Sequence, residues 1–396
     1  MLKQRQRIFS AVTFFFIFWY IFLCSVHLYK QRSLWNDEEC VLRSIENFSA
    51  KQMFGEDLMA YQVFPRVYLF LIQQFAKLFD FSRLALRLPS FICMIAAFLL
   101  WLRIARNSIK DRWQYLAFVC SWPASGMMLY YSAELKQYSM DVLAAALFIL
   151  FLCRQDALRR ERPRRYMAAL IALPALGLFS YPAFLIAMIP LYNLVVLSIR
   201  EKACRKYLAV YAMSLTVIIL LSYFIDMRHR PTDVLSREWR DYFVSFASLS
   251  EFLQSLGEGI NNLFSRWFVE YPKFFKSLGR IFIGWGLINV FYAFFANRKK
   301  EGGMLRSLDT VAFVLFLEMF LIGCLQKYPF TVPRTSLFYA PIVFYLTATG
   351  IGLAARVHPY LYRLILGLYF VFLGFLAVMQ SFVAFYWDLG FYPRIW

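Results

Sequence analysis

The chain has 396 residues, 61% hydrophobic and only 17% charged, with a mean hydropathy of +0.54 and a formal charge of +19. Soluble domains average about 25% charged residues, so this composition excludes an ordinary soluble domain. Strands of ~10 residues with alternating polarity are not seen, which argues against a membrane barrel, whereas apolar runs of ~17–25 residues point to an all-α polytopic membrane protein.

The first apolar run covers residues 9–28, after Lys3, Arg5 and Arg7. It superficially resembles a signal peptide, but it is too long for one and lacks a small-x-small cleavage site, so a retained first helix is expected. A long segment, 29–86, follows and contains Trp35-Asn36-Asp37-Glu38-Glu39. Within it, Arg66 to Phe79 carries Arg66, Gln73, Gln74 and Lys77 on an apolar background and predicts an amphipathic helix lying at the membrane interface. Further spanning helices are expected near 87–104, 113–130, 138–153, 166–181, 183–199, 207–226, 279–296, 309–325, 337–355 and 363–384, about eleven in all. Basic stretches fall between alternate pairs: Arg103 to Arg112, Arg154 to Arg165, Arg200 to Lys206, Arg298 to Arg306 and Arg356 to Arg363. Together with the N-terminal cations they hold more than half of the 43 Lys and Arg. The positive-inside rule then puts the N-terminus in the cytoplasm, and the C-terminus and the segments 29–86, 131–137, 227–277 and 326–336 outside. This topology accounts for the positive charge without a nucleic-acid partner. The seven Cys and three His are scattered, with no metal or disulfide spacing.

Ionisable groups beside lipid are costly and single out functional candidates. Asp37 and Glu38 could be helix-start acids, for a helix at Glu38 to Phe48, or could supply a base at the membrane face. Glu39 is an ordinary helix-start acid. Tyr131-Ser132-Ala133-Glu134-Leu135-Lys136-Gln137-Tyr138 forms a tight turn between two spanning helices, either an interfacial anchor or a second acid and cation near the first segment. Arg334, after Pro333, is either a snorkelling arginine or a phosphate ligand, since guanidinium groups bind phosphate bidentately. Arg83 and Arg87 flank the start of a spanning helix; Arg83 reads as an anchor, and one of the two could meet a lipid phosphate. Glu318 and Asp141 lie inside helices, where an acid serves either function or a structural hydrogen bond.

In order along the chain these features resemble the GT-C superfamily of membrane glycosyltransferases, in the branch of dolichyl-phosphate-mannose–protein mannosyltransferases and aminoarabinose transferases. The resemblance rests on the Asp37-Glu38 pair after the first helix and on Pro65 to Tyr68 opening a juxtamembrane helix. It rests also on Ala85-Leu86-Arg87-Leu88-Pro89-Ser90, on the Tyr131 to Tyr138 turn, and on Arg334 to Pro341 with Phe338. The chain departs from the family's usual pattern at Phe64-Pro65-Arg66 and at Lys136.

The resemblance implies transfer of a sugar from a polyprenyl-phosphate-linked donor to a glycan, lipid or protein acceptor. The reaction would invert the anomeric centre and take place on the outer face of a bacterial inner membrane. Asp37 would be the base, with Glu38 in support. Arg334 and Lys136 would face the phosphate, with Glu134, Tyr138 and Arg66 as further substrate-binding residues. No cofactor is called for, although relatives suggest that Asp37 and Glu134 could hold a divalent metal. Two rivals remain. One is a flippase or transporter of lipid-linked saccharides, disfavoured by the lack of internal repeats. The other is an O-antigen polymerase or ligase relying on His229 and the arginines of 227–277.

Overall fold

The computed structural model describes residues 2–230, 239–265, 273–298, 305–329 and 332–386, and among these residues the regular elements are all helices. The first apolar run becomes α1 (Leu2–Tyr29), and the segment after it folds into α2 (Asn36–Asn47), α3 (Ala50–Gly55) and α4 (Arg66–Lys77). Next come α5 (Arg83–Ser108), α6 (Arg112–Ala124), α7 (Gly126–Tyr131) and α8 (Tyr138–Glu161). They are followed by α9 (Pro163–Ala172), α10 (Pro182–Arg200), α11 (Arg205–Ile225) and α12 (Leu249–Ser265). The described chain closes with α13 (Lys273–Arg298), α14 (Leu308–Cys324), α15 (Ala340–Ile351), α16 (Ala354–Val357) and α17 (Pro359–Tyr386).

All eleven segments placed on hydropathy are mainly helical. Among the described residues, seven helical stretches are long and apolar enough to cross a membrane: Gln6–Tyr29, Arg83–Ser108, Pro182–Arg200, Lys202–His229, Ser277–Ala296, Leu337–Val357 and Pro359–Tyr386. The chain is an integral membrane protein. Several boundaries differ from expectation, each for a local reason. The span expected at 113–130 breaks into α6 and α7. Pro123 brings no backbone N–H, and the chain turns at Ser125, whose hydroxyl caps the Met128 N–H at 3.3 Å. The basic stretch from Arg154 is not a loop but the last turns of α8, built from strong helix formers. That helix stops at Arg162 (φ −140°, ψ 63°), displaced from helical geometry by Pro163. The span expected at 166–181 passes from α9 into a 3₁₀ helix at Leu173–Leu178. The segment 227–277, expected as a loop, contains α12. Parts of that segment (231–238 and 266–272), of the basic stretch from Arg298 to Arg306 (299–304), and the expected outer C-terminus (387–396) lie outside the described residues.

α6, α7, the turn after them and α8 run through the centre, with α1, α5, α10, α15 and α17 packed around them. An aromatic seam binds the layers. Tyr20 of α1 lies 4.5 Å from Phe98 of α5, which lies 4.9 Å from Trp122 of α6, which lies 6.1 Å from Phe344 of α15. Such pairs add to burial through their quadrupoles. α13 and α15 approach until backbones touch: a Cβ on Gly350 would meet the Trp285 carbonyl oxygen at 2.5 Å. Small residues permit this in membrane bundles, where dispersion rather than hydrophobicity drives helix pairing. Gly350→Ala should therefore push α13 and α15 apart and lower the thermal unfolding temperature in detergent; an unchanged midpoint would contradict this contact.

Candidate active site

The site grows from the first turn of α2. Glu38, fully buried, is the third residue of that helix, and its Oε2 accepts from the Trp35 backbone N–H at 3.4 Å. Arg87 of α5, equally buried, grips the same carboxylate with Nε on Oε1 at 3.0 Å and Nη2 on Oε2 at 2.7 Å. The Leu135 N–H, in the turn before α8, donates to Oε1 at 2.8 Å. Arg87 Nη1 donates to the Arg32 carbonyl at 2.7 Å, and the Arg32 guanidinium stands 4.0 Å from Glu38 and 3.8 Å over the Tyr130 ring. This network bolts α2, α5 and the turn together. It overturns the expectation that Arg87 could meet a lipid phosphate, because the guanidinium is enclosed by protein. Arg83 stays exposed, its Nη1 3.5 Å from the Gln31 carbonyl.

With Glu38 turned inward, Asp37 projects at the edge of the cluster and keeps 20% of its side chain exposed. Its Oδ2 lies 3.1 Å from Lys136 Nζ and 3.3 Å from Arg334 Nη1. Lys136 Nζ also donates to Gln62 Oε1 at 2.6 Å, and its carbonyl accepts from Ser90 at 3.1 Å. Arg334 sits on a loop closed by Thr335, whose hydroxyl donates to the Pro329 and Val332 carbonyls at 2.8 and 2.9 Å. The Tyr328 hydroxyl binds the Thr335 carbonyl. Phe330 and Thr331 of this loop lie outside the described residues. The Arg334 guanidinium faces two indoles, 6.0 Å from Trp35 and 5.3 Å from Trp239, a cation–π arrangement. Glu134, fully buried, accepts from the Trp35 indole N–H at 2.8 Å through Oε1, while Oε2 has no partner among the described residues. Tyr138 is buried beside Tyr131 and within electrostatic reach of Arg334, Asp37 and Glu134. Glu39 is exposed, as expected for a helix-start acid.

Burial and charge set the protonation of this cluster. Desolvation pushes the Glu134 carboxyl up to about 8, and the neighbouring Glu38 charge adds to the shift. Desolvation holds Lys136 below the ordinary lysine range, opposed by Asp37 and Glu134. Burial also works against the charge of Arg334, but Tyr138, Tyr131, Asp37 and Glu134 outweigh it and hold the guanidinium above its ordinary range.

Asp37, Glu38, Glu134, Lys136, Tyr138 and Arg334 therefore come together. Arg66 does not join them. Its Nη1 donates to the Met53 and Glu56 carbonyls, both at 2.6 Å, and its Nε lies 3.8 Å from Asp226, which Tyr181 and Arg230 also engage. Arg66 thus ties α3 and α4 to the end of α11, and its place near the substrate is not supported by any contact with the Asp37 group. Of the two acids suggested for a divalent cation, Asp37 already has Oδ2 between two positive groups and Glu134 has Oε1 taken by Trp35. Among the described residues no three metal-ligating side chains gather. His229 accepts from Arg228 Nε at 3.0 Å, in contact with none of the clustered residues. Glu318 has no hydrogen bond or ion pair among the described residues, and Asp141 lies buried beside Ser180.

Three contributors escaped the sequence, Gln62, Trp35 as an indole donor and Trp239, and Arg87 was singled out there without its pairing to Glu38. Only Arg87 left a signal, since an arginine inside a spanning helix requires a counter-charge.

A family model described as dolichyl-phosphate-mannose-protein mannosyltransferase matches residues 64–225, from the start of α4 to the end of α11 and including the turn with Glu134 and Lys136. No curated protein and no solved structure matches the chain.

Two outcomes are expected from the geometry. Glu38→Ala or Arg87→Ala strands a buried charge and should cost about 3–5 kcal/mol of stability, and Arg87→Lys should not restore it, lacking the planar fork. Unfolding midpoints in detergent check both, and wild-type stability in either alanine variant would contradict the network. For Glu134 the folded carboxyl holds its proton more tightly than the unfolded one. Its stabilising contribution is therefore complete below the ordinary glutamate range, about 4.3, and is lost as the pH rises through about 8. Glu134→Gln should flatten the fall in stability between those limits; an identical pH profile would refute the buried neutral acid.

Proposed function

We propose that this chain, a membrane glycosyltransferase of the GT-C type, moves a sugar from a polyprenyl-phosphate donor to an acceptor hydroxyl or amine on the external face of a bacterial inner membrane. The observation that carries the proposal is the meeting of Asp37, Lys136 and Arg334 at one carboxylate oxygen. A carboxylate that keeps some exposure beside two cations supplies both halves of the chemistry. The family match supports a lipid-linked sugar donor at a coarse level; the roles below are assigned from the residues.

In the reaction the acceptor oxygen or nitrogen attacks the anomeric carbon as the bond from that carbon to the phosphate oxygen breaks. The acceptor's proton passes to Asp37, and the electron pair of the broken bond stays with the polyprenyl phosphate. Arg334 and Lys136 neutralise the charge gathering on the leaving phosphate, where a low-dielectric setting makes them count for more than in water. Displacement from the face opposite the phosphate inverts the anomeric centre. Glu38 touches no substrate in this scheme; locked to Arg87, it sets the first turn of α2 and with it the place of Asp37. Glu134 holds the Trp35 indole beside Arg334, and Tyr138 is buried beside the same group. The lipid tail of the donor would lie among the apolar helices.

Asp37→Asn should abolish transfer, lowering turnover at least about 10²-fold as expected for loss of a general base, in membranes supplied with a polyprenyl-phosphate sugar. Arg334→Ala should weaken use of the donor with little change in folding. Wild-type turnover in Asp37→Asn would sink the base assignment, and unaltered donor kinetics in Arg334→Ala would sink the phosphate role.

A further inference from the structure

Lys136 and Arg334 come from different parts of the chain, the turn before α8 and the loop before α15, yet both address the same atom, Asp37 Oδ2, at 3.1 and 3.3 Å. Each cation is also held by something other than Asp37. Lys136 is buried and bound to Gln62 Oε1 at 2.6 Å. Arg334 is flanked by Trp35 and Trp239 on a loop fixed by Thr335. The two positive groups are thus set in place around a point that holds one negatively charged oxygen. The carboxylate, by contrast, has no hydrogen bond or ion pair among the described residues beyond these two contacts. The Asp37 side chain can rotate without disturbing α2, whose first turn is secured by the neighbouring Glu38 through Arg87, the Trp35 N–H and the Leu135 N–H.

We propose that the Asp37 carboxylate stands in for the donor's phosphate in the empty site, and that the arriving phosphate takes Lys136 and Arg334 from it and so releases the base for the acceptor. The inference rests on the function proposed above and deepens it, by linking donor binding to the freeing of Asp37. Two anions cannot share one cation pair on equal terms: a phosphate that enters must break both contacts to Asp37, and its apparent affinity is lowered by the fraction of sites still closed by the carboxylate. Until that exchange occurs, Asp37 is engaged by two positive groups. An acceptor reaching the site alone therefore meets a spent base. With the phosphate in place, the carboxylate turns free to meet the acceptor. The order of events follows: donor first, acceptor second.

The test is binding of polyprenyl monophosphate, without sugar, to the purified full chain in lipid nanodiscs. It compares the wild type with Asp37→Asn, Glu39→Gln and Arg334→Ala. Asparagine keeps the shape of Asp37 while removing the competing charge, so Asp37→Asn should bind the lipid phosphate about tenfold more tightly or better. Glu39→Gln removes one negative charge from the same helical turn at an exposed position outside the cation pair, and should bind like the wild type. Equal or weaker binding by Asp37→Asn overturns the exchange while leaving the phosphate site standing, provided Arg334→Ala has lost affinity. An equal gain in Glu39→Gln also overturns it, since the effect would be one of net charge. If Arg334→Ala binds like the wild type, the phosphate lies elsewhere, and the function proposal fails together with the exchange.

Discussion

The buried pair of Glu38 and Arg87 is the constraint on which the rest of the site depends. Both groups are removed from water, and enclosing two charges is favourable only when geometry and further hydrogen bonds compensate their desolvation. Here every part of the pair is occupied. The carboxylate receives a bidentate fork and a backbone N–H from Leu135, and the fork's remaining nitrogen meets the Arg32 carbonyl. The pair joins three pieces of chain that local forces alone would not hold together: the segment after α1, the start of α5, and the turn before α8. It also determines what its neighbour can do. Adjacent residues on a helix diverge by roughly 100°, so driving Glu38 into the protein sends Asp37 toward the edge, where Lys136 and Arg334 wait.

Around this anchor the charges sort into two roles. Glu38, Arg87 and Arg32 form a closed set, bonded to one another and to backbone N–H and carbonyl groups. Asp37, Lys136 and Arg334 form an open set, linked by ion pairs at the margin of the protein. Glu134 stands between them, kept neutral by burial and by the nearness of Glu38, and its bond to the Trp35 indole holds that ring near Arg334. A separate group of Arg66, Asp226, Arg230 and Tyr181 does structural work at the end of α11. Lying in the same segment 29–86 as Asp37 is therefore not enough to join Arg66 to the cluster; its partners decide.

The spanning helices were legible because each is a run of apolar residues long enough to leave its own signature, and α4 was legible from its amphipathic pattern. Asp37, Glu134, Lys136 and Arg334 stood out because charge beside lipid is costly. Their mutual contacts were hidden. Nothing local in Leu84-Ala85-Leu86-Arg87 tells which acid the arginine meets 49 residues away, and nothing in Arg66 tells that its hydrogen bonds end on the Met53 and Glu56 carbonyls. Breaks inside apolar runs were also hidden, because hydropathy averages over a window while Pro123 and Ser125 act on single backbone groups. Trp239 follows a polar stretch and carries no periodic pattern, so only tertiary structure brings it to Arg334.

The contact between Asp37 and Arg334 spans 297 positions of sequence. The acid is made early and the arginine that completes its setting is made late, after α14 has been synthesised. While the chain emerges, α1, α2, α5 and the turn before α8 can assemble a half-site with an acid and a lysine but no second cation. Because chain segments are translated and inserted in order, the assembly intermediate lacks Arg334. A partly inserted polypeptide thus holds the acid and the lysine without their second cation, which arrives only with the last third of the protein.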